Sequence, residues 1–158
     1  MKNTINILSD KVINQIAAGE VIQRPSSVLK ELLENSIDAN AQNIQIIIKN
    51  SGKSLIQIID DGDGMHEEDA KICFKKHATS KIKKTEDIMK IMTMGFRGEA
   101  LASIASISEV ELKTKTKNQN IGISISVNNS EIKKIHKIAT KTGTSISVKN
   151  LFFNIPAR

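Results

Sequence analysis

The chain of 158 residues has no tryptophan, no tyrosine and only four phenylalanines. A platform of stacked aromatic rings for single-stranded nucleic acid is therefore not expected. Its one cysteine, Cys73, excludes an internal disulfide and fits a reducing compartment. No apolar run approaches the roughly 20 residues needed to span a membrane. The opening "MKNTINILSDK" lacks a long apolar centre and a small-residue cleavage site, so it reads as cytoplasmic and unprocessed. Three familiar sites fail on spacing. "SGKS" at 51–54 imitates the end of a phosphate-binding P-loop, but that motif needs glycine where Ile47 stands. "DDGDGMHEED" imitates a calcium loop, but counting from Asp61 puts Met65 where an oxygen ligand belongs. His66, His77 and His136 have no zinc spacing, and a single cysteine cannot complete one.

Hydrophobic residues make up 39% of the chain and charged residues 25%, the balance of a globular domain, and the length suits one such domain over 1–158. The net charge of +6 would suit an anionic partner such as DNA or a nucleotide. Lys, Asn and Ile are spread along the whole chain, however, so the charge reads equally well as a compositional bias.

Several segments carry a clear period. "LSDKVINQIAAGEVI" opens on Ser9 and Asp10 as N-cap candidates and sets Val12, Ile13, Ile16 and Ala17 on one helical face, with Gly19 expected to end or bend the helix. "RPSSVLKELLENSIDA" starts a second helix with Pro25 near its first turn, and Leu29, Leu32, Leu33 and Ile37 form its core face. "NIQIIIKN" and "SLIQIID" read as a hairpin. "HEEDAKICFKKHA" reads as a helix with an acidic first turn. "TSKIKK" and "TEDIMKIM" suggest a mobile segment holding a short helix, and "GFRGEALASIASI" a glycine turn entering another helix. "EVELKTKT", "IGISISV", "EIKKIHKI" and "TSISV" read as short strands. Together they predict an α+β domain, a two-layer sandwich with helices on one face of a mixed, largely antiparallel sheet.

Three features ask for a chemical explanation. In "KELLENSIDA", Glu31, Asn35 and Asp38 fall within about 60° of one another on a helix that also faces a core. Taken alone they fit a solvated face equally well, with Glu34 near Lys30 in a structural role. Asp60 ends an apolar strand and leads into "DGDG", where Gly62 and Gly64 would let backbone approach a flat ligand. The plain reading is an acidic turn. Gly95-Phe96-Arg97-Gly98 opens a helix, where free N–H groups and an arginine suit an anion. The plain reading is a glycine turn with a surface arginine. Combined, a carboxylate to activate water, an amide to hold Mg²⁺, a carboxylate to read an amino group and an anion cradle are the parts of a nucleotide hydrolase outside the P-loop class.

The sequence resembles the N-terminal ATPase region of MutL-type DNA mismatch repair proteins, within the superfamily of gyrase B, the large heat-shock chaperones and the histidine kinases. The resemblance rests on "NQIAAGEVIQRPSSVLKELLENSIDA", "DDGDGM", "KHATSKI", "MGFRGEALASIASI" and "GTSISVKNLFFNIPAR". It implies a Bergerat-type fold, and ATP and Mg²⁺ as cofactors. By resemblance, Glu31 is the general base and Asn35 the Mg²⁺ ligand, while Asp38 and Ala39 line the nucleotide pocket. Asp60 accepts from the adenine amino group. Gly62, Gly64 and Met65 form the loop beside the base, and Thr144 supports the base through its hydroxyl and a water. Residues 76–97 would be a lid carrying Thr79, Ser80 and Lys81, and Gly95, Phe96, Arg97 and Gly98 would hold the phosphates. Lys76 stands where many relatives carry arginine.

The chain stops at Arg158, before a second subdomain that in this family supplies a lysine to the terminal phosphate and much of the DNA-binding surface. A fragment or a truncated product is therefore expected, one that also lacks the C-terminal dimerisation domain, and that binds ATP weakly and hydrolyses it slowly or not at all, or acts as a nucleotide-gated binding module. The intact protein would be an ATP-driven clamp. Its implied partners are a mismatch-recognition protein of the MutS type, DNA, a repair endonuclease and a helicase. ATP would drive its N-terminal regions to form a homodimer near the nucleoid, with no membrane involved.

Overall fold

Alternation decides the strands. In "EVELKTK" every second side chain is buried, and Val110, Leu112 and Thr114 point one way. The computed structural model describes residues 5–75 and 100–155. Over these the order is α1 (Asp10–Val21), α2 (Pro25–Asp38), β1 (Ile44–Lys49), a 3₁₀ turn (Asn50–Gly52), β2 (Leu55–Asp60), α3 (Glu67–Ile72), α4 (Ala100–Ser106), β3 (Glu109–Lys115), β4 (Gly122–Asn128), β5 (Glu131–Ile138) and β6 (Gly143–Lys149).

The sheet runs β1-β2-β6-β3-β4-β5. It was expected to be mixed, but each pairing among the described residues is antiparallel. The reason lies in the connections: hairpins join β1 to β2, β3 to β4 and β4 to β5, and β6 then returns into the gap between β2 and β3. That insertion matters for the site. It sets Thr144 opposite both Asp60 and Thr114. One face of the sheet carries the row Asp60, Thr144, Thr114, then Ile58, Ile146, Leu112, Ile125, then Ile56, Val148, Val110, Val127. These apolar residues join Ala18, Ile22, Val28, Leu32 and Ile104 from the helices in one buried cluster, so the sandwich has two layers. The outer edge strand β5 is exposed almost throughout and rich in lysine, which discourages pairing with another chain.

The helices depart from the sequence reading in three places. Ser9 caps α1, accepting from the Val12 N–H at 3.3 Å. Gly19 does not end that helix. It is buried within it, where Ala18 and Ile22 carry the core contact, and Val12, Ile13 and Ile16 are exposed. Pro25 is the first residue of α2 as expected. Its inward line, however, is Val28, Leu32 and Ser36, each four residues on, while Ile37 is 52% exposed. A buried serine displaces the isoleucine because the serine has a hydrogen-bond partner below it, described in the next subsection. The helix expected from "HEEDAKICFKKHA" covers Glu67–Ile72 and gives way to a turn by residue 75, and the rest of that stretch lies outside the described residues, as do the "TSKIKK" and "TEDIMKIM" segments. Just after α3, burial pushes the Cys73 thiol up to about 12, so it serves as a small apolar group. No helix among the described residues is long and apolar enough to cross a membrane.

Candidate functional site

Asp60 is the last residue of β2, where an apolar strand meets a glycine loop. Its carboxylate is held from three elements. Oδ1 accepts the Gly62 N–H at 2.9 Å and the Thr144 N–H at 3.2 Å. Oδ2 accepts the Ser36 hydroxyl at 2.6 Å. Two oxygens offer about four lone-pair positions. Among the described residues three are taken, and the one left is on Oδ2.

The Ser36 bond also fixes α2 to the sheet. Ser36 is 3% exposed and lies on the core side of α2, whereas Glu31, Asn35 and Asp38 are half-buried on the same helix. The polar stripe and the Asp60 carboxylate are thus parts of one rigid unit. Glu34 pairs with Lys30 at 3.7 Å, in keeping with a structural role.

The loop after Asp60 closes on the chain itself. Asp61 accepts from the Gln42 N–H and the Asn43 N–H, both at 2.8 Å, and from the Asn43 side chain at 2.9 Å. The Asn43 side chain first, then the two backbone N–H groups, hold its carboxyl below the ordinary value. Because its pKa is lower folded than unfolded, Asp61 contributes stability above the ordinary carboxylate range and loses it as pH falls through the folded value. Melting followed from pH 6 to pH 2 is expected to drop less steeply in Asn43→Ala than in the wild type, and equal slopes would contradict this assignment.

Asp63 accepts from the Asn40 side chain at 2.8 Å, and its N–H donates to the Ala39 carbonyl at 2.8 Å. The glycines in this loop have a reason beyond any ligand. A Cβ on Gly62 would lie 2.6 Å from the Ala39 oxygen, and one on Gly64, where φ is +70°, would lie 2.0 Å from the Lys115 oxygen. The Met65 N–H donates to the Thr114 hydroxyl at 2.9 Å.

Sequence reasoning missed three residues that hold this arrangement: Ser36, Thr114 and Gly143. Ser36 and Thr114 were visible as small polar residues at inward positions of apolar patterns. Gly143 gave no signal until β6 was placed beside β2. Of the expected site residues, Ala39, Asp60, Gly62, Gly64, Met65 and Thr144 come together where the end of α2 meets the ends of β2 and β6, and Glu31, Asn35 and Asp38 lie along α2 leading to that point. Thr79, Ser80, Lys81, Gly95, Phe96, Arg97 and Gly98 lie outside the described residues. A shallow cavity of about 380 Å³ also opens at this end of the sheet. Its lining joins Gln45, Ile59, Lys113 and Ser145, one residue along each strand from the Asp60 row, to Asp60, Gly143 and Thr144 at the strand ends.

Comparison with known proteins gives a consistent picture. Residues 23–154 match the family described as histidine kinase-, DNA gyrase B-, and HSP90-like ATPase. The DNA mismatch repair protein MutL of Christiangramia forsetii is 60% identical over 158 residues, all of this chain and 26% of the relative. MutL of Parabacteroides distasonis is 55% identical over the same span, again 26% of its length. The chain therefore spans about a quarter of the curated relatives it matches. Among solved structures, the N-terminal domain of a DNA repair protein aligns with a TM-score of 0.77 at 33% identity, over 92% of this chain and 41% of that one. The Aquifex aeolicus MutL ATPase domain complexed with ADP aligns at 0.65 and 32% identity, over 87% of this chain and 46% of that one.

Proposed function

We propose a function from one premise: the chain belongs to the histidine kinase-, DNA gyrase B- and HSP90-like ATPase family. It is the ATP-binding and hydrolysing region of a MutL-like DNA mismatch repair protein, built as one domain over 1–158. The observation that carries this reading is the Asp60 carboxylate, held by three hydrogen bonds with a lone-pair position left on Oδ2. A rigid acceptor of this kind reads an amino group, as adenine presents one and guanine in the same orientation does not. Thr144 lies beside it in the register and supports the base through its hydroxyl and a water.

One turn apart on α2, Glu31 and Asn35 take the reacting end. Asn35 holds Mg²⁺ and Glu31 acts as the base that orients and deprotonates the attacking water. Bound Mg²⁺ would neutralise charge on the phosphate oxygens. The residues present fit that ion in a particular way. Among the described residues no group of three or more His, Cys, Asp or Glu could hold a metal. An ion here would rest on the Asn35 amide oxygen, phosphate oxygens and waters, which suits Mg²⁺ and makes its binding depend on nucleotide. Asp38, Ala39, Gly62, Gly64 and Met65 border the base and sugar. Thr79, Ser80, Lys81 and the Gly95-Phe96-Arg97-Gly98 run complete the phosphate side.

The whole protein would use this site as an ATP-driven clamp in the cytoplasm. It would form a homodimer through its N-terminal regions, receive a signal from a MutS-type protein, hold DNA, and pass the signal to a repair endonuclease and a helicase. The isolated chain would bind ATP weakly and turn it over slowly. The test is a thermal shift with Mg²⁺ and a non-hydrolysable ATP analogue, followed by turnover in Glu31→Ala. Ligand at a hundredfold over Kd is expected to stabilise the fold by about 2.7 kcal/mol. Glu31→Ala should keep that shift and lose turnover by a factor of roughly 100 or more. No shift at millimolar nucleotide would sink the proposal. An unchanged slow rate in Glu31→Ala would favour a nucleotide-gated binding module instead.

A further inference from the structure

We infer that Thr114, buried beneath the site and out of reach of any ligand, sets the base specificity by fixing which way the Thr144 hydroxyl points. The inference rests on the nucleotide reading above. Thr114 comes from β3 and is 1% exposed. Its oxygen makes three contacts: the Met65 N–H donates to it at 2.9 Å, the Gly143 carbonyl accepts from it at 3.0 Å, and the Thr144 oxygen stands at 3.0 Å. A hydroxyl has one proton and two lone pairs. The Met65 N–H can only donate and the Gly143 oxygen can only accept. One arrangement satisfies all three contacts. Thr114 gives its proton to Gly143, and its lone pairs receive the Met65 N–H and the Thr144 proton.

Thr144 has then spent its only proton inward. Its half-buried oxygen has lone pairs to offer and nothing to donate. Asp60 offers the same, since its carboxylate already receives Ser36, Gly62 and Thr144. The protein groups under the base are therefore acceptors alone, and a water bridging from Thr144 must give that oxygen one of its protons. A base edge carrying an amino group finds partners there. One carrying an oxo group in the same place faces lone pairs and leaves buried acceptors unmatched. Thr114 is a positioning residue, because it acts only through Thr144.

The experiment compares ADP with IDP, its 6-oxo counterpart, by calorimetric titration of the wild type, Thr114→Val, Thr114→Ser and Thr144→Val. The wild type should favour ADP by roughly a hundredfold or more. Thr114→Val frees the Thr144 proton to turn outward, and the ratio should narrow by roughly tenfold, the worth of one hydrogen bond. Thr114→Ser keeps the hydroxyl and should keep the ratio. Thr144→Val should narrow it comparably, which covers the case of Thr114→Val failing to fold. Equal weakening of both nucleotides in Thr114→Val, with the ratio intact, would overturn the inference and leave Thr114 merely structural. A second reading needs no nucleotide. In the free wild-type chain, NMR should find the Thr144 hydroxyl proton exchanging slowly with water, and an exchange rate like that of an exposed threonine would overturn the proposed direction. A wild type that binds neither diphosphate would sink the nucleotide reading, and the exchange rate would still decide the polarity.

Discussion

Asp60→Asn is expected to fold almost as well as the wild type and to lose adenine nucleotides. The two halves of that result separate the structural work of the carboxylate from its recognition work. An asparagine can keep its amide oxygen in the Oδ1 position, where it still accepts from the Gly62 and Thr144 N–H groups. Its amide nitrogen then occupies the Oδ2 position and donates to the Ser36 oxygen. The serine proton can turn back to a carbonyl of its own helix, a common local partner for serine. Every buried partner stays satisfied, so the cost in stability should be within about 1 kcal/mol. The outer lone pair on Oδ2, however, has become an N–H. It points a donor at the amino group it formerly received. Losing a charge-assisted bond and replacing it with a mismatch should cost about 3 kcal/mol, roughly a hundredfold in Kd.

Asp60→Ala makes the useful contrast. It leaves the Gly62 and Thr144 N–H groups without their acceptor and removes the tie from Ser36 to the sheet, and should melt well below the wild type before binding is considered. Melting curves and ADP titration on the same preparations decide the matter. An Asp60→Asn chain that binds ADP like the wild type would remove Asp60 from recognition altogether.

The contrast also shows what a sequence can and cannot display. The strand ending at Asp60 and the helix carrying Glu31, Asn35 and Asp38 were legible because each is a local pattern, a period of two or of about 3.6. The layers followed from the same periods. The error at Ile37 is instructive for the opposite reason. Hydropathy favours isoleucine over Ser36 for the inward position, and nothing within the helix says otherwise. The partner that makes the serine worth burying is Asp60, 24 residues away. That a sheet expected to be mixed and largely antiparallel is antiparallel in every described pairing has the same kind of origin. Strand direction depends on where β6 enters, and that is a fact about the whole chain. Gly62 and Gly64 were read as room for a ligand because glycine in a loop commonly is. The fold adds a second reason, because a side chain at either position would meet the backbone of Ala39 or Lys115. In each case the residue type was visible, and its reason lay across a long-range contact.

Gly143→Ala brings those contacts together and should be among the most damaging single methyl groups the chain could receive. Gly143 opens β6 at φ +125°, a conformation that side chains rarely adopt, and an added Cβ would lie 2.0 Å from the Asp60 carbonyl oxygen. The neighbouring contact is backbone, so no side chain can swing aside. The next residue is Thr144, whose N–H reaches Oδ1 of Asp60, and the Gly143 carbonyl itself receives the Thr114 proton. Relieving the clash means parting β6 from β2 where the Asp60 bond is made, and shifting the Gly143 carbonyl that ties β6 to Thr114 of β3. Backbone strain and overpacking together should cost roughly 4 kcal/mol. For a domain of this size that is a fall in melting temperature of about 10 °C or more. Ser145→Ala is the control, since that side chain points to the other face, where it accepts one bond from Gln57 at 3.2 Å. It should cost less than about 1 kcal/mol. Melting within two degrees of the wild type in Gly143→Ala would mean that the first turn of β6 does not hold Asp60 as described. The expected outcome ties stability to recognition. The same methyl that unseats the strand withdraws Thr144 from both the carboxylate and Thr114, so the surviving folded molecules should also lose their preference for an amino-bearing base.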